Sequence, residues 1–580
     1  MTLAIERRIP NKKLQLDDGF SPLLRRVFSQ REIDSVEELN LAIGGLLSPF
    51  DLLGINAALE LLLSQQQKQG KVLIVSDFDA DGATSCVLAI QALRSLGFDN
   101  VDYIVPNRFE YGYGLTPEIV DLAKTKHPDL IITVDNGISS YEGVQAALDG
   151  NIKVLITDHH LPGAQLPAAD AIVNPNQRGC EFPSKSLAGV GVIFYLMLAL
   201  RARLRQLNWF EINHRPEPNL SALLDLVALG TIADVVPLDQ NNRILVNEGL
   251  KRIRKGKTRP GILALLEVSN RKKENMAASD LGFAIGPRLN AAGRLDDMSL
   301  GIECLLSDSY TDAFAMAIEL DNLNSDRKLI ENEMREEAFA SLEQLSIDEK
   351  EIQAGICVYE ETWHQGVIGI LASRIKDKYH RPVIAFADAN GQGDEIKGSA
   401  RSIPGFHVRD ALDTIAAQNP GLISKFGGHA MAAGLTLSKS AFAEFSKAFS
   451  NYAEKNLGEE ALTAKIVTDG EVTSDLLSLE TAQSLVDAGP WGQGFPEPLF
   501  DGLFELRELR VLADKHLKMR VSPVDSELEL EAIAFNVDQH LRPPVACIMR
   551  FVYRLDINRY RNIKKLQLII EHMEVTKTTT

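Results

Sequence analysis

Three β-rich runs, each closing on acid or histidine, constrain this chain more than any other feature in it. Lys71 to Asp77 (KVLIVSD) continues as FDADG, Leu130 to Asp135 (LIITVD) as NGISS, and Lys153 to Asp158 (KVLITD) as HH. Flanked by Gly, Asn or a helical pattern, such runs read as parallel strands buried on both faces. In an open α/β sheet the functional site lies beyond the carboxyl ends of the strands. Here those ends carry Asp77 and Asp79, then Asp135, then Asp158, His159 and His160. A fourth apolar run, Asp225 to Asp234 (DLVALGTIAD), is closed by Pro237 and delivers Asp234. A carboxylate in such a stretch is costly to bury unless a metal or a hydrogen-bond network holds it. Carboxylates converging with one or two imidazoles suit a pair of hard divalent ions, Mn2+ or Mg2+. Asp135, on its strand end, could bridge two ions about 3.5–4 Å apart. The expected site is a dinuclear phosphoesterase centre.

Each motif has a plainer reading beside this one. DFDADG could be an acidic turn with a helix N-cap, ahead of a helix over Ala83 to Leu93. It lacks the glycines and lysine of a phosphate-cradling loop, so backbone phosphate binding is not expected there. Consecutive histidines in extended chain point to opposite sides; one of His159 and His160 is then a ligand and the other faces substrate. After the strand Val101 to Pro106, Arg108 stands at the same sheet edge and could grip phosphate, with Tyr111 and Tyr113 as an aromatic wall. GPRLNAAGRL carries Arg288 and Arg294 among small residues that permit close backbone approach. Ser399 and Arg401 form a hydroxyl-and-guanidinium pair, and His429, next to Gly428, sits where backbone N–H groups could meet an anion. Lys251, Arg252, Arg254, Lys255, Lys257 and Arg259 are either a solvated face or a phosphate track.

At 580 residues the chain has room for about three or four domains. The fold expected is α/β. A small helical lead-in occupies 1–48, and a catalytic unit on a parallel sheet follows over 49–305. Tyr310 to Gln353 has no Gly or Pro and apolar residues at helical spacing, which predicts a long connecting helix within 306–353, a spacer between lobes. A second α/β unit spans 354–460, and five short strand patterns over 461–576 suit a small oligonucleotide-binding-type barrel with a basic face. That face would hold Lys515, His516, Lys518, Arg520, Arg554, Arg559 and Tyr560. The net charge of −18 lowers, without removing, the expectation of a polyanionic substrate. Five cysteines without CxxC spacing fit a reducing cytosol. No secretory h-region opens the sequence, and the longest apolar run, Gly189 to Leu200, is a core helix rather than a membrane span.

DFDADGATS, VPNRFEYGYGL, TVDNGISS, TDHHLPG, GTIADVVPL, GPRLNAAGRL, WHQGVIGILASRI, GSARS and GGHAMAAG, in that order, closely resemble the bacterial RecJ exonucleases of the DHH phosphoesterase superfamily. Singly these motifs are weak; their joint order and spacing is specific and covers nearly the whole chain. The resemblance implies a DHH domain, a DHHA1 domain and an OB-fold around a central hole. It also implies 5′-to-3′ exonuclease action on single-stranded DNA with Mn2+ or Mg2+, in repair and recombination. By motif match it implies Asp77, Asp79, Asp135, His159 and Asp234 as ligands, with His160 close to the scissile phosphate. Arg108, Arg288, Ser399, Arg401 and His429 match positions expected to hold DNA phosphates. The expected partners are single-stranded DNA, a single-strand-binding protein and a helicase, for a cytoplasmic monomer without membrane contact. Two rival functions share the core: a phosphodiesterase for dinucleotides or short oligonucleotides, which has no need of a third basic domain, and a non-catalytic replication scaffold, which would be free to lose ligands.

Overall fold

The computed structural model describes residues 3–578 other than 12–13, 15, 17–18, 108–110, 112, 346–352, 390–392, 459–460, 538, 540–541, 545–546, 560 and 562. Arg108 and Tyr560, singled out above, lie outside the described residues, as does the stretch 346–352 at the end of the expected connecting helix.

A short strand β1 (Ala4–Arg7) opens the chain. The first sheet is parallel throughout: β2 (Val72–Ser76), β3 (Val101–Ile104), β4 (Leu130–Val134), β5 (Lys153–Thr157) and β6 (Ala171–Val173), in the order β3-β2-β4-β5-β6. Both faces are covered. Val72 and Ile74 enter one core with the helices Ala80–Ser95, Gly189–Gln206 and Leu224–Ala233, while Leu73 and Val75 enter another with Ile119 and Val144. This two-sided burial is why the strands read as unbroken apolar runs rather than alternating ones. The order reverses between β2 and β4, and crevices for ligands open at such switch points.

Two local expectations are corrected here. The helical pattern from Asn56 to Gln67 running into Gly70 suggests that glycine as the C-cap, but the helix Ile55–Lys68 ends on Gln69 in the left-handed region (φ 52°). Gly70 instead leaves room for the Gln65 side chain. The expected basic face after Asn247 is not uniform, because Arg259 turns inward. Its guanidinium donates to both oxygens of the fully buried Asp225 at 2.8 and 3.2 Å, and Thr258 adds a third bond at 2.6 Å. Burial alone would raise the Asp225 carboxyl, yet Arg259 holds it below its ordinary value. Removing one partner strands a buried charge. Asp225→Ala is therefore expected to destabilise the fold by about 3–5 kcal/mol, read as a lower midpoint in urea unfolding.

The helix Tyr310–Leu345 leads to the second lobe. There β7 (Ile356–Tyr359), β8 (Val383–Asp388), β9 (Glu395–Arg401), β10 (Lys425–Gly428) and β11 (Ala432–Ser438) form a mixed sheet in the order β10-β11-β9-β8-β7, with only β7 and β8 parallel. The long helix does more than hold the lobes apart, which revises the spacer expectation. It buries Asn324, Arg327 and Glu331, and ion pairs tie it to both sides: Asp321 to Arg288 at 2.7 Å, Glu331 to Arg374 at 2.7 Å.

The C-terminal unit begins with β12 (Lys465–Thr468), which pairs in parallel with β1. A closed barrel follows, β13 (Phe500–Leu512), β14 (His516–Pro523), β15 (Leu530–Ala534), β16 (Cys547–Asn558) and β17 (Lys565–Thr578), in the order β13-β14-β15-β17-β16. Arg31 reaches Asp469 at 2.5 Å and Arg7 reaches Asp501 at 2.7 Å, so the helical lead-in is clasped to this unit. The barrel's cations are largely paired, contrary to the simple basic face expected. Lys518 meets Glu531 at 3.0 Å, Arg520 meets Glu508 at 3.4 Å, and Arg554 lies between Glu497 and Glu571.

Candidate metal centre

The ends of β2, β4 and β5 bring their acids and histidines together at the switch point. Asp77 follows β2 and accepts from the Phe78 N–H at 2.7 Å. Asp79 is the N-cap of the helix Ala80–Ser95, its Oδ1 accepting from the N–H groups of Asp81 and Gly82 at 2.9 Å each. Asp135 follows β4 with φ 62°, a conformation that Asp tolerates better than most residues. The Nε2 of His159 lies 3.0 Å from Asp135 Oδ1 and 3.5 Å from Asp234 Oδ2. All three atoms are buried and none has a hydrogen-bond partner. Asp77, Asp79 and Asp135 present one oxygen each within 4.8 Å of one another, and so do the ligand atoms of Asp81, His159 and Asp234.

Asp81 is the residue that sequence reasoning missed. Its carboxylate is 1% exposed and accepts from the N–H groups of Gly189 and Val190, at the start of the next core helix, at 2.6 and 3.0 Å. The helix starts at Ala80 rather than Ala83, which turns Asp81 inward. The available signal was the third acid of DFDADG.

Electrostatics make the cluster unstable without cations. Burial, then repulsion from Asp79, pushes Asp81 up to about 7. Burial and the neighbouring carboxylates push Asp135 and Asp234 well above the carboxylate range. Burial, aided by His160, lowers His159 to about 4, so its ring is neutral and free to ligate. For His160 burial works downward, but the Asp158 hydrogen bond and charge outweigh it and raise the ring to about 9. Asp158 has both oxygens occupied: Oδ1 by the N–H groups of His159 and His160 and by His160 Nδ1, Oδ2 by the Ile138 N–H. It braces the histidine turn from behind rather than facing the cluster. Tyr113 closes the near side, its hydroxyl 3.3 Å from the His160 ring nitrogens and from the Asp135 carbonyl.

Small residues let the elements approach this closely. A Cβ on Gly82 would stand 2.5 Å from the Asp77 carbonyl, one on Gly189 2.6 Å from Asp135 Cβ, and one on Gly230 2.7 Å from Asp81 Oδ1. Gly230→Ala is expected to lower Mn2+ affinity or turnover about 10–100-fold, the usual effect of disturbing a residue behind a ligand. Metal titration of the purified variant checks this.

The expected phosphate contacts fare differently. Ser399 and Arg401 are together on β9, Arg401 donating to Ser399 Oγ at 3.1 Å, against Gly369 in the first turn of the helix Ile368–Tyr379. Gly428 has φ 139° and no room for a Cβ. Burial lowers the His429 ring, with a further contribution from the charge of His160. Arg288 is engaged elsewhere, with the Ala284 carbonyl at 2.6 Å and Asp321 at 2.7 Å. Arg294 reaches across to the Gly366 carbonyl at 3.2 Å and so joins the two lobes.

The donor set fits divalent ions. Bonds of about 2.1 Å on an octahedron put adjacent ligand atoms about 3 Å apart, which matches the contact between His159 and Asp135. Three orphaned polar atoms and several raised carboxyls in one pocket are otherwise unexplained cost.

Fold and site together define a metal-dependent phosphoesterase of the DHH type, and the DHH family N-terminal domain model matches residues 71–231. The DHHA1 domain model matches 352–455 and the RecJ OB domain model 468–572. The chain belongs to the RecJ family. It is 52% identical over 572 residues to the single-stranded-DNA-specific exonuclease RecJ of Escherichia coli, covering 98% of this chain and 99% of that protein. It is 33% identical over 565 residues to the RecJ of Bacillus subtilis, covering 96% and 68%. Among solved structures it resembles RecJ in complex with Mn2+ from Thermus thermophilus, with a TM-score of 0.78, 28% identity and coverage of 96% and 76%.

Proposed function

We propose that this protein is a single-stranded-DNA-specific exonuclease that hydrolyses phosphodiesters at a two-ion centre and releases 5′-mononucleotides from the 5′ end. The observation that carries it is the trio of buried, unpartnered atoms on Asp135, His159 and Asp234, in a chain half identical to a named exonuclease of this kind. Asp77, Asp79, Asp81, Asp135, His159 and Asp234 would hold the ions. Two divalent ions, when bound, lower the pKa of water and offset charge at the reacting phosphoryl group. Asp158 fixes His160 Nδ1, and Nε2, 3.3 Å from the Tyr113 hydroxyl, would offer a proton to the leaving 3′-oxygen. Ser399, Arg401 and His429 would hold the terminal phosphate from the second lobe, and Tyr113 shields the centre from bulk water on one side.

The barrel favours long strands over dinucleotides as substrate. Five free cysteines support a reducing, cytoplasmic setting, and no single described helix is long and apolar enough to cross a membrane. A monomer acting beside a single-strand-binding protein and a helicase completes the proposal. Digestion of 5′-labelled and 3′-labelled single strands, with and without Mn2+, tests it. The 5′ label should leave first, as mononucleotide and only with metal. Early release of the 3′ label would reverse the polarity, and cleavage confined to dinucleotides would favour the small-substrate alternative.

A further inference from the structure

Next to the metal centre lies a cavity of 370 Å³ that the proposed chemistry does not use. One wall is the segment that carries Asp234, a second is the turn Leu281–Ile285, and a third is the stretch from Val486 to Gln493 that leads toward the first barrel strand. It therefore stands between the candidate metal centre and the barrel. Two large apolar side chains line it and are open to solvent: Phe283, 84% exposed, and Val235, 63% exposed. Single exposed apolar residues need no explanation, but a patch that adjoins a functional centre does. Val235 directly follows Asp234 and sits at φ 61°, a region that β-branched residues rarely enter. The turn beneath Phe283 is π-helical, a geometry concentrated at functional sites, and runs straight into the helix whose Asn290 accepts from the Ala80 N–H at 2.8 Å. Asp487 and Glu497 also line the cavity, and Glu497 is tied to Arg554 at 2.8 Å. Arg254 lines it too, but its Nε donates to the Met276 carbonyl at 2.8 Å and Asp487 offsets its charge, so the surface is chiefly an apolar, aromatic face.

Given the exonuclease reading, on which this inference rests, a strand that runs from the barrel side to Asp234 would pass this surface, which the segment carrying Asp234 and the stretch leading to the barrel both line. We propose that Phe283 is a base-stacking residue which, backed by Val235, holds the base of a nucleotide flanking the scissile phosphate. Every base has a π-face, so such a contact is tolerant of sequence. A base already stacked within a duplex has no free face to give, so the contact also selects single strands.

The test compares full-length wild type, Phe283→Ala, Phe283→Leu and Phe283→Tyr with Mn2+, on an intact single strand and on one with an abasic nucleotide near the 5′ end. Phe283→Ala should raise KM about tenfold, the scale of one base–aromatic stack, with kcat within about twofold and the melting temperature unchanged. Phe283→Tyr should restore KM and Phe283→Leu should not. Wild type should lose about the same factor on the abasic strand, and Phe283→Ala should lose nothing further. An unchanged KM, equal rescue by Leu, or losses that simply add would overturn the stacking role. A wild-type chain inert on both strands would sink the exonuclease reading, and this inference with it.

Discussion

Asp135→Asn is expected to cut exonuclease turnover about 10⁴-fold, equivalent to the several kcal/mol of charge stabilisation that metal ions supply, and at the same time to raise the melting temperature of the metal-free protein. The two effects share one cause. Asp135 is 2% exposed and lies among Asp77, Asp79, Asp81 and Asp234. Burial, then these charges, hold its carboxyl far above the ordinary range. Without cations at neutral pH the folded chain must either bind a proton there or crowd like charges, and the unfolded chain does neither. A neutral amide removes that burden. It suits the backbone as well, since Asn is among the residues that adopt positive φ most readily. A gain of about 2–4 °C in EDTA is expected if about 1 kcal/mol is recovered. Single-strand binding should remain measurable. Retained activity, or a lower metal-free melting temperature, would make Asp135 a structural residue.

Much of this site was legible in the sequence because its geometry follows from strand order. Runs buried on both faces read as parallel strands, and their carboxyl ends must share one edge, so Asp77, Asp79, Asp135 and His159 could be placed together before any contact was known. What stayed hidden depended on where a helix starts or on partners remote in sequence. A helix cap and a site residue are alternative readings of DFDADG, yet Asp79 caps the helix from within the cluster, and that cap is what turns Asp81 inward. Cations were visible but their pairing was not. Arg259 belongs to Asp225 and Arg288 to Asp321, each from one helix to another, and Lys518 to Glu531 between strands. The absence of Gly and Pro gave the long helix its length, but not the buried Asn324, Arg327 and Glu331 that pair along it, nor the bond from Glu331 to Arg374 in the second lobe.

Saturating Mn2+ is expected to raise the melting temperature much more at pH 8 than at pH 5. Asp81 rises from 3.8 to about 7 on folding, so between those values the folded chain holds more protons than the unfolded one. Stability from this group is lost as pH rises through that window, and Asp135 and Asp234, raised in the same direction by burial and the neighbouring carboxylates, act with the same sign. His160 adds to it, since its rise from 6.5 to about 9 gives stability that is present below 6.5 and gone above 9. His159 acts oppositely: lowered from 6.5 to about 4, it makes the folded chain gain stability as pH climbs from 4 to 6.5. Above pH 6.5 no such gain remains, and the metal-free centre is at its least stable. Cations compete with protons for the same atoms, so their binding is strongest where those protons are most weakly held. With Mn2+ at about 100 times its Kd, one ion contributes about 2.7 kcal/mol, or roughly 5–10 °C. That shift should appear at pH 8 and shrink to a third or less at pH 5. Thermal unfolding across pH 5–9, in EDTA and in Mn2+, reads both limits. A shift of equal size at every pH would place the ions away from these carboxylates, and Asp135→Asn should flatten the dependence if they are bound where the orphaned atoms meet.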